Sequence, residues 1–151
     1  MSKVKELPPE KWAIWHTWMQ AHRLLTQELE RRLQAELGIS KAEFSILVTL
    51  RQAPTPQMRV LDLATSLGWD KSRVAHLLTR MEARSLVHRM ESGASGRRTG
   101  IRLTAEGRRT SKRAIAAHGN NVRMLFFDAL SPEEASAIRA WSERTIEALT
   151  S

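Results

Sequence analysis

Apolar residues recur three or four positions apart through most of the chain, which is the spacing of one face of an α-helix. The first such stripe begins after Pro8 and Pro9, which suit a first helical turn, and it ends at Gly38. It predicts a helix of about 28 residues, roughly 40 Å long. A helix of that length extends beyond a small globule, so we expect its apolar face to meet another chain or a distant part of the same one. The members of this stripe are Trp12, Trp15, Met19, His22, Leu25, Leu29, Leu33 and Leu37.

A capping box marks the start of a second helix, because the Ser40 and Glu43 side chains can satisfy each other's free backbone amides. Pro54 ends this helix, since proline supplies no amide and disfavours helix in the residue before it. Residues 58–60 then predict a very short strand.

The next segment has the pattern of a helix-turn-helix. A short helix from about Leu61 to Leu67 closes at Gly68, whose backbone can turn left-handed, and a second helix runs from Asp70 to about Ser85. We expect Asp70 to cap this second helix. Ala64 is small enough to let the second helix approach the first, and Val74 and Leu77 are predicted to pack the two together. The inward face of the second helix is predicted to be Val74, Leu77, Leu78 and Met81.

Glycines at 93, 96 and 100 separate two short mixed runs, residues 87–90 and 99–103, which predict a β-hairpin with a basic tip. Thr104 then caps a helix to about Leu130, and Ser131 with Pro132 starts a last helix. We therefore predict a mainly α fold with a small β-wing, in which helices flank a winged helix-turn-helix at both ends.

The formal net charge is +8 over 151 residues, and its position matters more than its size. Residues 70–113 contain twelve Lys and Arg against four Asp and Glu, whereas the rest of the chain contains twelve of each. An excess confined to one segment is typical of a protein that binds a polyanion, usually nucleic acid. The simpler interpretation of such a run is a solvated basic face without a partner.

Composition excludes several classes of function. With 42% hydrophobic residues the chain is too apolar for a disordered protein, and it has no apolar run of about 18 residues that would cross a membrane. It contains no Cys, which excludes disulfides, thiolate metal sites and cysteine redox sensing. The five His residues are never three or four positions apart, so we expect no metal site, and we expect no cofactor. The N-terminus has no apolar stretch of the signal-peptide kind, so we expect a cytoplasmic protein.

The second helix of the helix-turn-helix carries the candidate DNA contacts. With its apolar face inward, Ser72, His76 and Thr79 point outward, Arg73 and Arg80 lie on one shoulder, and Lys71 lies on the other. The N-terminal part of such a helix enters the major groove, so Ser72, Arg73 and His76 are expected at base edges, with Lys71 and Arg80 on phosphates. On the hairpin tip, Arg97 and Arg98 suit the minor groove.

Five short segments carry a family resemblance. They are Asp62-Leu63-Ala64 with Leu67-Gly68, Lys71 to His76, Arg80 to Val87, Leu103 to Gly107, and the Trp-x-Lys-Ser-Arg pattern of Trp69 to Arg73. Together they resemble the MarR-type (multiple-antibiotic-resistance regulator) winged-helix transcription factors over nearly the whole chain. The resemblance implies a homodimeric repressor or activator that binds double-stranded DNA, with a small ligand between the dimer interface and the DNA-binding part. It implies one regulator unit over 1–151, with a DNA-binding lobe at 40–103 and a helical dimerisation region at 8–38 and 104–151.

Two positions depart from the family pattern. The hairpin tip reads Ser95-Gly96-Arg97 where the family has Asp-x-Arg, so the acidic residue that would brace Arg97 is absent. Ser85 stands where the family has Gly after the recognition helix, at a position that requires a left-handed backbone, so we expect mild strain there.

An effector site is a further hypothesis. Trp12, Trp15, Trp18 and His16 crowd the start of the first helix, where they predict either an aromatic pocket for a small aromatic or acidic effector or part of a dimer core. His118, in the fifth helix, is a further candidate for the pocket lining.

Two other functions compete with sequence-specific regulation. An enzyme is disfavoured, because Ser72 and His76 lie on an outward face with no third catalytic group, and the chain has no Gly-rich phosphate loop. A sequence-tolerant architectural DNA-binding protein without an effector is the closer alternative, and the ratio of specific to non-specific affinity would separate the two.

Overall fold

The computed structural model describes residues 4–91, Arg97 and residues 99–151. Those residues divide into two compact units, one from the N-terminus to Leu29 together with Asn120–Ser151, and the other Glu30–Gly119. The described elements are α1 (Pro9–Leu37), α2 (Lys41–Gln52), β1 (Gln57–Arg59), α3 (Val60–Leu67), α4 (Lys71–Ala83), β2 (Val87–Met90), β3 (Gly100–Leu103), α5 (Ala105–Val122), a π-helical turn (Arg123–Phe127) and α6 (Pro132–Thr150). The predicted fold class and order of elements are confirmed.

Side chains cap three of these helices as the sequence predicts. Glu43 donates its amide to Ser40 Oγ (3.1 Å), and Ser40 donates its amide to Glu43 Oε1 (3.0 Å). The same reciprocal pair joins Ser131 and Glu134 at the start of α6, where the hydrogen bond from the Ser131 amide lowers the pKa of Glu134. Thr104 Oγ1 accepts the amide of Gly107 (2.9 Å) at the start of α5.

The predicted cap of α4 is wrong in one respect. Asp70 occupies the N-cap position with an extended backbone, but its side chain makes no capping hydrogen bond to the described residues. Asp70 is exposed, so water can solvate its carboxylate instead. The start of α4 relies on backbone bonding, in which Val74 donates its amide to the Asp70 carbonyl (3.1 Å).

The hairpin strands and the short strand before α3 form one antiparallel sheet in the order β1-β3-β2. Ile101, in the central strand, pairs with Met58 on one side and with Arg89 on the other, and its side chain is fully buried. The sheet therefore closes the hydrophobic core of the Glu30–Gly119 unit.

That core draws on every helix of the unit. The four predicted inward residues of α4 are all buried, and they pack with side chains from α2, α3 and the sheet. The α5 helix meets this core through small residues, and Gly107, Thr110, Ser111 and Ala114 are its buried positions there. Fully buried members of the core include Ile39, Ile46, Leu47, Leu63, Val74, Leu78 and Met81.

The predicted helix from Thr104 to Leu130 does not stay α-helical to its end. Beyond Val122 the backbone forms a π-helical turn, in which Asp128 donates its amide to the Arg123 carbonyl five residues earlier (2.9 Å). The Arg123 guanidinium bonds Asn120 Oδ1 (2.7 Å) and Asp128 Oδ2 (3.1 Å), which holds both ends of this turn. In the described part of the chain, no helix combines the length and the apolarity that a bilayer span requires.

Candidate nucleic-acid interface

The turn between α3 and α4 sets the position of the candidate recognition helix. Gly68 has a φ of +67°, in the left-handed region that glycine adopts without a steric penalty. Backbone amides of this turn return to the end of α3, where Trp69 donates to the Ala64 carbonyl (3.1 Å). Ala64 is buried, and its small side chain lets α4 approach α3 closely.

One face of α4 is buried and the other is open to solvent. The predicted contact residues Lys71, Ser72, Arg73, His76, Thr79 and Arg80 are all exposed. The structure therefore brings these six candidates together on one helix surface, as the periodicity predicted. Three of them are cations, which gives this surface a positive charge suited to a polyanion.

Thr79 is less available than its exposure suggests. Its hydroxyl donates to the Ala75 carbonyl (3.0 Å) and accepts from Nη2 of Arg89 (3.0 Å). The same Arg89 nitrogen donates to the Ala75 carbonyl (2.9 Å). Arg89 lies in β2, so these bonds connect the hairpin to the middle of α4.

Two features mark the C-terminal end of α4, an ion pair from Arg84 to Glu43 and the left-handed backbone of Ser85. Nη1 of Arg84 lies 2.9 Å from Oε2 of Glu43, a residue that is only 5% exposed. Ser85 then has a φ of +62°, which confirms the left-handed backbone predicted at this position. A residue other than glycine is uncommon in that region, so Ser85 carries some strain.

The hairpin tip is described at Arg97 and Thr99. Arg97 is exposed, and its carbonyl accepts the Thr99 amide (2.9 Å). The Thr99 carbonyl in turn accepts the Val60 amide (2.8 Å), which connects the base of the tip to the start of α3. The other predicted contact, Arg98, lies outside the described residues, as does Ser95.

Comparison with known proteins identifies the family. The MarR family profile matches residues 39–99. The transcriptional regulator HosA of Escherichia coli O127:H6 is 34% identical over 114 residues, which are 74% of this chain and 82% of HosA. The chain belongs to the MarR family. Its members are DNA-binding regulators of transcription and not enzymes, so the sequence resemblance is confirmed.

Solved structures of MarR family regulators share the fold. AbsC from Streptomyces coelicolor is 33% identical, with a TM-score of 0.81 over 97% of this chain and 99% of AbsC. A second MarR family regulator from the same organism, crystallised in complex with DNA, is 27% identical, with a TM-score of 0.85 over 100% of this chain and 94% of its own.

The predicted effector residues of this MarR family protein lie in different units. Trp12 and His16 stack in the first unit, with ring centroids 5.6 Å apart and planes at 19°. His118 lies in the Glu30–Gly119 unit, where its ring centroid is 4.9 Å from that of Phe44. Burial lowers the pKa of His118, and the charge of Lys41 lowers it further.

The unit that contains the chain ends has a large apolar groove of about 720 Å³. Trp15 lines this groove, whereas Trp12 and His16 do not. The four tryptophans of this unit are between 44% and 49% exposed. The groove is lined by Ile14, Trp15, Trp18, Ala21, His22, Leu25, Leu125, Phe126, Ala129, Leu130, Ala137, Ile138 and Trp141.

Sequence reasoning missed two contacts of α4. Arg89 was not selected, although strand alternation places it on the inward face of β2 with Val87, where a charged side chain needs partners. Trp69 was identified only as part of a family pattern, although it directly precedes the N-cap of α4, where a large side chain can contact the first turn of the helix.

Proposed function

We propose that this MarR family protein is a sequence-specific repressor that binds a pseudo-palindromic operator as a homodimer and is released by a small ligand. The observation that carries the proposal is the exposed face of α4. It presents polar and cationic side chains together, inside the segment that holds the entire net positive charge of the chain. A protein that only neutralised phosphates would need the charge but not the polar side chains between the cations.

In this proposal the side chains of α4 divide into two roles. Ser72, Arg73 and His76 read base edges, and Arg73 has the paired donors that match the O6 and N7 acceptors of guanine. Lys71 and Arg80 hold phosphates on either side, and Thr79 adds its remaining hydrogen-bonding capacity. Arg97 and Arg98 enter the adjacent minor groove from the hairpin tip.

Dimerisation is proposed from the exposed apolar surface of the unit that contains the chain ends. Soluble monomers rarely expose contiguous apolar patches larger than a few hundred Å². Half-exposed tryptophans around an apolar groove are more consistent with a surface that a second copy covers. On this basis residues 8–38 and 104–151 form the dimerisation region and 40–103 the DNA-binding lobe. A two-fold axis then places two recognition helices about 34 Å apart on the operator.

The apolar groove also affects where an effector is expected to bind. A second copy over the groove would use Trp15 as a dimer contact, which favours the interface interpretation of the tryptophan cluster. The ring of Phe44, with His118 against it and Lys41 nearby, suits a small aromatic and acidic molecule. Such a ligand acts as a switch only if it binds more tightly to a dimer whose helix spacing does not fit the operator. We place the protein in the cytoplasm, because its bacterial relatives would meet their DNA there.

Selection from a pool of random duplexes tests the proposed function. Purified protein should enrich one motif with two inverted half-sites, spaced by one helical turn of 10–10.5 base pairs or a multiple of it. Transcription in vitro from a promoter that overlaps this motif should fall when the protein is added. Enrichment of no motif would contradict the proposal and favour the sequence-tolerant architectural alternative.

A further inference from the structure

Trp69 differs in its surroundings from the other four tryptophans of the chain. Trp12, Trp15, Trp18 and Trp141 belong to the unit that contains the chain ends, whereas Trp69 belongs to the Glu30–Gly119 unit. It lies in the turn between α3 and α4, half-buried, with its side chain packed against the hydrophobic core. Its amide is bonded to the Ala64 carbonyl (3.1 Å). Both the backbone and the ring of Trp69 are therefore held in place before any ligand binds.

The exposed face of this ring carries the side chain of Arg73. The guanidinium carbon of Arg73 lies 4.1 Å from the centroid of the Trp69 ring, which is the geometry of a cation–π contact. The contact arises because Trp69 directly precedes the Asp70 N-cap and Arg73 lies in the first turn of α4, so the turn brings the ring against the start of the helix.

A contact of this kind leaves an arginine able to bind nucleic acid. A guanidinium carries five N–H donors, and one aromatic ring beside it does not engage all of them. Arg73 can therefore still donate two parallel hydrogen bonds to a guanine edge. An arginine without such a support samples many rotamers and loses that freedom when it binds.

We propose that Trp69 is a positioning residue for DNA recognition, and that its ring holds the Arg73 guanidinium in the orientation in which it meets the DNA. The inference rests on the proposed function, because it requires α4 to be the recognition helix. Trp69 itself touches no base. It reduces the conformational freedom that Arg73 loses on binding, and it fixes the direction of the paired donors, on which discrimination between bases depends.

A double-mutant cycle separates this role from a merely structural one. The full-length protein is compared as wild type, Trp69→Leu, Arg73→Ala and the double variant, with the selected operator duplex and a scrambled duplex as probes. Loss of a cation–π contact at an exposed site should weaken operator binding roughly two- to fivefold in Trp69→Leu. In the Arg73→Ala background the same change should have almost no effect, because the partner is already gone. Trp69→Phe, which keeps an aromatic face, should recover most of the loss.

Each outcome of the cycle decides a different question. An equal loss from Trp69→Leu with and without Arg73 would overturn the positioning role and leave the proposed function standing. No loss from Arg73→Ala would overturn the positioning role together with the proposed base contact of Arg73, whereas the proposed function itself would fail only if no operator motif were selected. Equal weakening on operator and scrambled duplex would also overturn the positioning role, since Trp69 would then have no effect on base preference.

A spectroscopic measurement tests the contact without DNA and with Trp69 in place. Protein labelled with 5-fluorotryptophan should give one fluorine resonance per tryptophan, and the signal missing in Trp69→Phe assigns Trp69. Arg73→Ala should shift this resonance and leave the other four unchanged. Arg80→Ala, the removal of another exposed arginine of α4, serves as the control and should shift none of them. An unchanged chemical shift of the Trp69 resonance in Arg73→Ala would overturn the proposal.

Discussion

Gly107 lies in the first turn of α5, where the helix crosses the backbone just before β2. A Cβ added here would overlap the carbonyl oxygen of Leu86, and it would lie 3.0 Å from the carbonyl carbon and 3.3 Å from Cδ2 of Leu103. The Leu86 carbonyl cannot simply turn away, because it accepts the backbone amide of Thr104 (3.1 Å). We therefore expect Gly107→Ala to push α5 away from the sheet.

The expected size of this effect follows from two opposing contributions. Forcing extra volume into a well-packed site costs about 1–3 kcal/mol. Alanine is more favourable than glycine in a helix by about 0.5–1 kcal/mol, which offsets part of that cost. The free energy of unfolding should fall by up to about 2.5 kcal/mol. For a chain of this size each 1 kcal/mol lowers Tm by about 2–4 °C.

The same helix supplies a matched control. A Cβ added at Gly119 would have no described atom within 4 Å, apart from its chain neighbours and the nearby backbone of its own helix. Gly119→Ala should therefore raise the free energy of unfolding by up to about 1 kcal/mol. Urea unfolding followed by circular dichroism, at equal protomer concentration, measures both variants. If the two substitutions changed the free energy of unfolding by the same amount, the contact between Gly107 and the Leu86 carbonyl would not be what excludes a side chain at position 107.

Four further predictions concern the hairpin, the dimer, the core and pH. Arg97→Ala should weaken operator binding without changing the oligomeric state, because the side chain is exposed at the hairpin tip; an unchanged Kd would show that the tip contributes nothing. Trp141→Glu places a charge in the apolar groove and should convert the dimer to a folded monomer in light scattering, and a persistent dimer would refute the proposed interface. Glu43→Gln removes the buried charge that pairs with Arg84 and should lower the free energy of unfolding by about 1–3 kcal/mol, which chemical unfolding would measure. A negligible change would show that this ion pair does not stabilise the end of α4. Burial and the charge of Lys41 lower the pKa of His118 below its ordinary value of 6.5. The unfolded chain therefore binds more protons at this residue than the folded chain does, so the free energy of unfolding should fall as the pH drops from 6.5 through the lowered pKa. His118→Gln should remove that part of the pH dependence, and an unchanged profile would contradict it.

Local signals were sufficient to predict most of the fold. The capping boxes at Ser40 and Ser131 depend on pairs of residues three positions apart, so they can be read directly from the sequence. The inward face of α4 follows from helical periodicity. In both cases the cause lies within a few residues of the effect. The positive φ of Ser85 was expected instead from the family resemblance, in which a glycine stands at this position.

Features that depend on distant contacts were not predicted. The α5 helix packs on the core through Gly107, Thr110, Ser111 and Ala114, which are small residues and form no apolar stripe in the sequence. Small residues fill the contact between α5 and the core only because the backbone at Leu86 comes close to the helix. No pattern in the α5 sequence predicts that this backbone lies so near. The π-helical turn after Val122 and the lack of a capping bond from the Asp70 side chain to the described residues are local, but no residue pattern distinguishes them from an α-helical turn and a capped helix start.

The candidate site shows the same division. Exposure of Lys71, Ser72, Arg73, His76 and Arg80 follows from periodicity alone, and the structure agrees. The engagement of Thr79 by Arg89 joins a helix to a strand ten residues later, so it requires the folded sheet. The base contacts themselves stay predictions, as do the dimer and the effector.

The ratio of operator affinity to non-specific affinity tests the central claim most directly. Fluorescence anisotropy would compare the selected operator duplex with a scrambled duplex of equal length at several salt concentrations. A sequence-specific regulator should prefer the operator by about a thousandfold or more at physiological salt. Equal affinity for both duplexes, with a steep loss as salt rises, would mean that only phosphates are bound, and it would contradict base reading by α4.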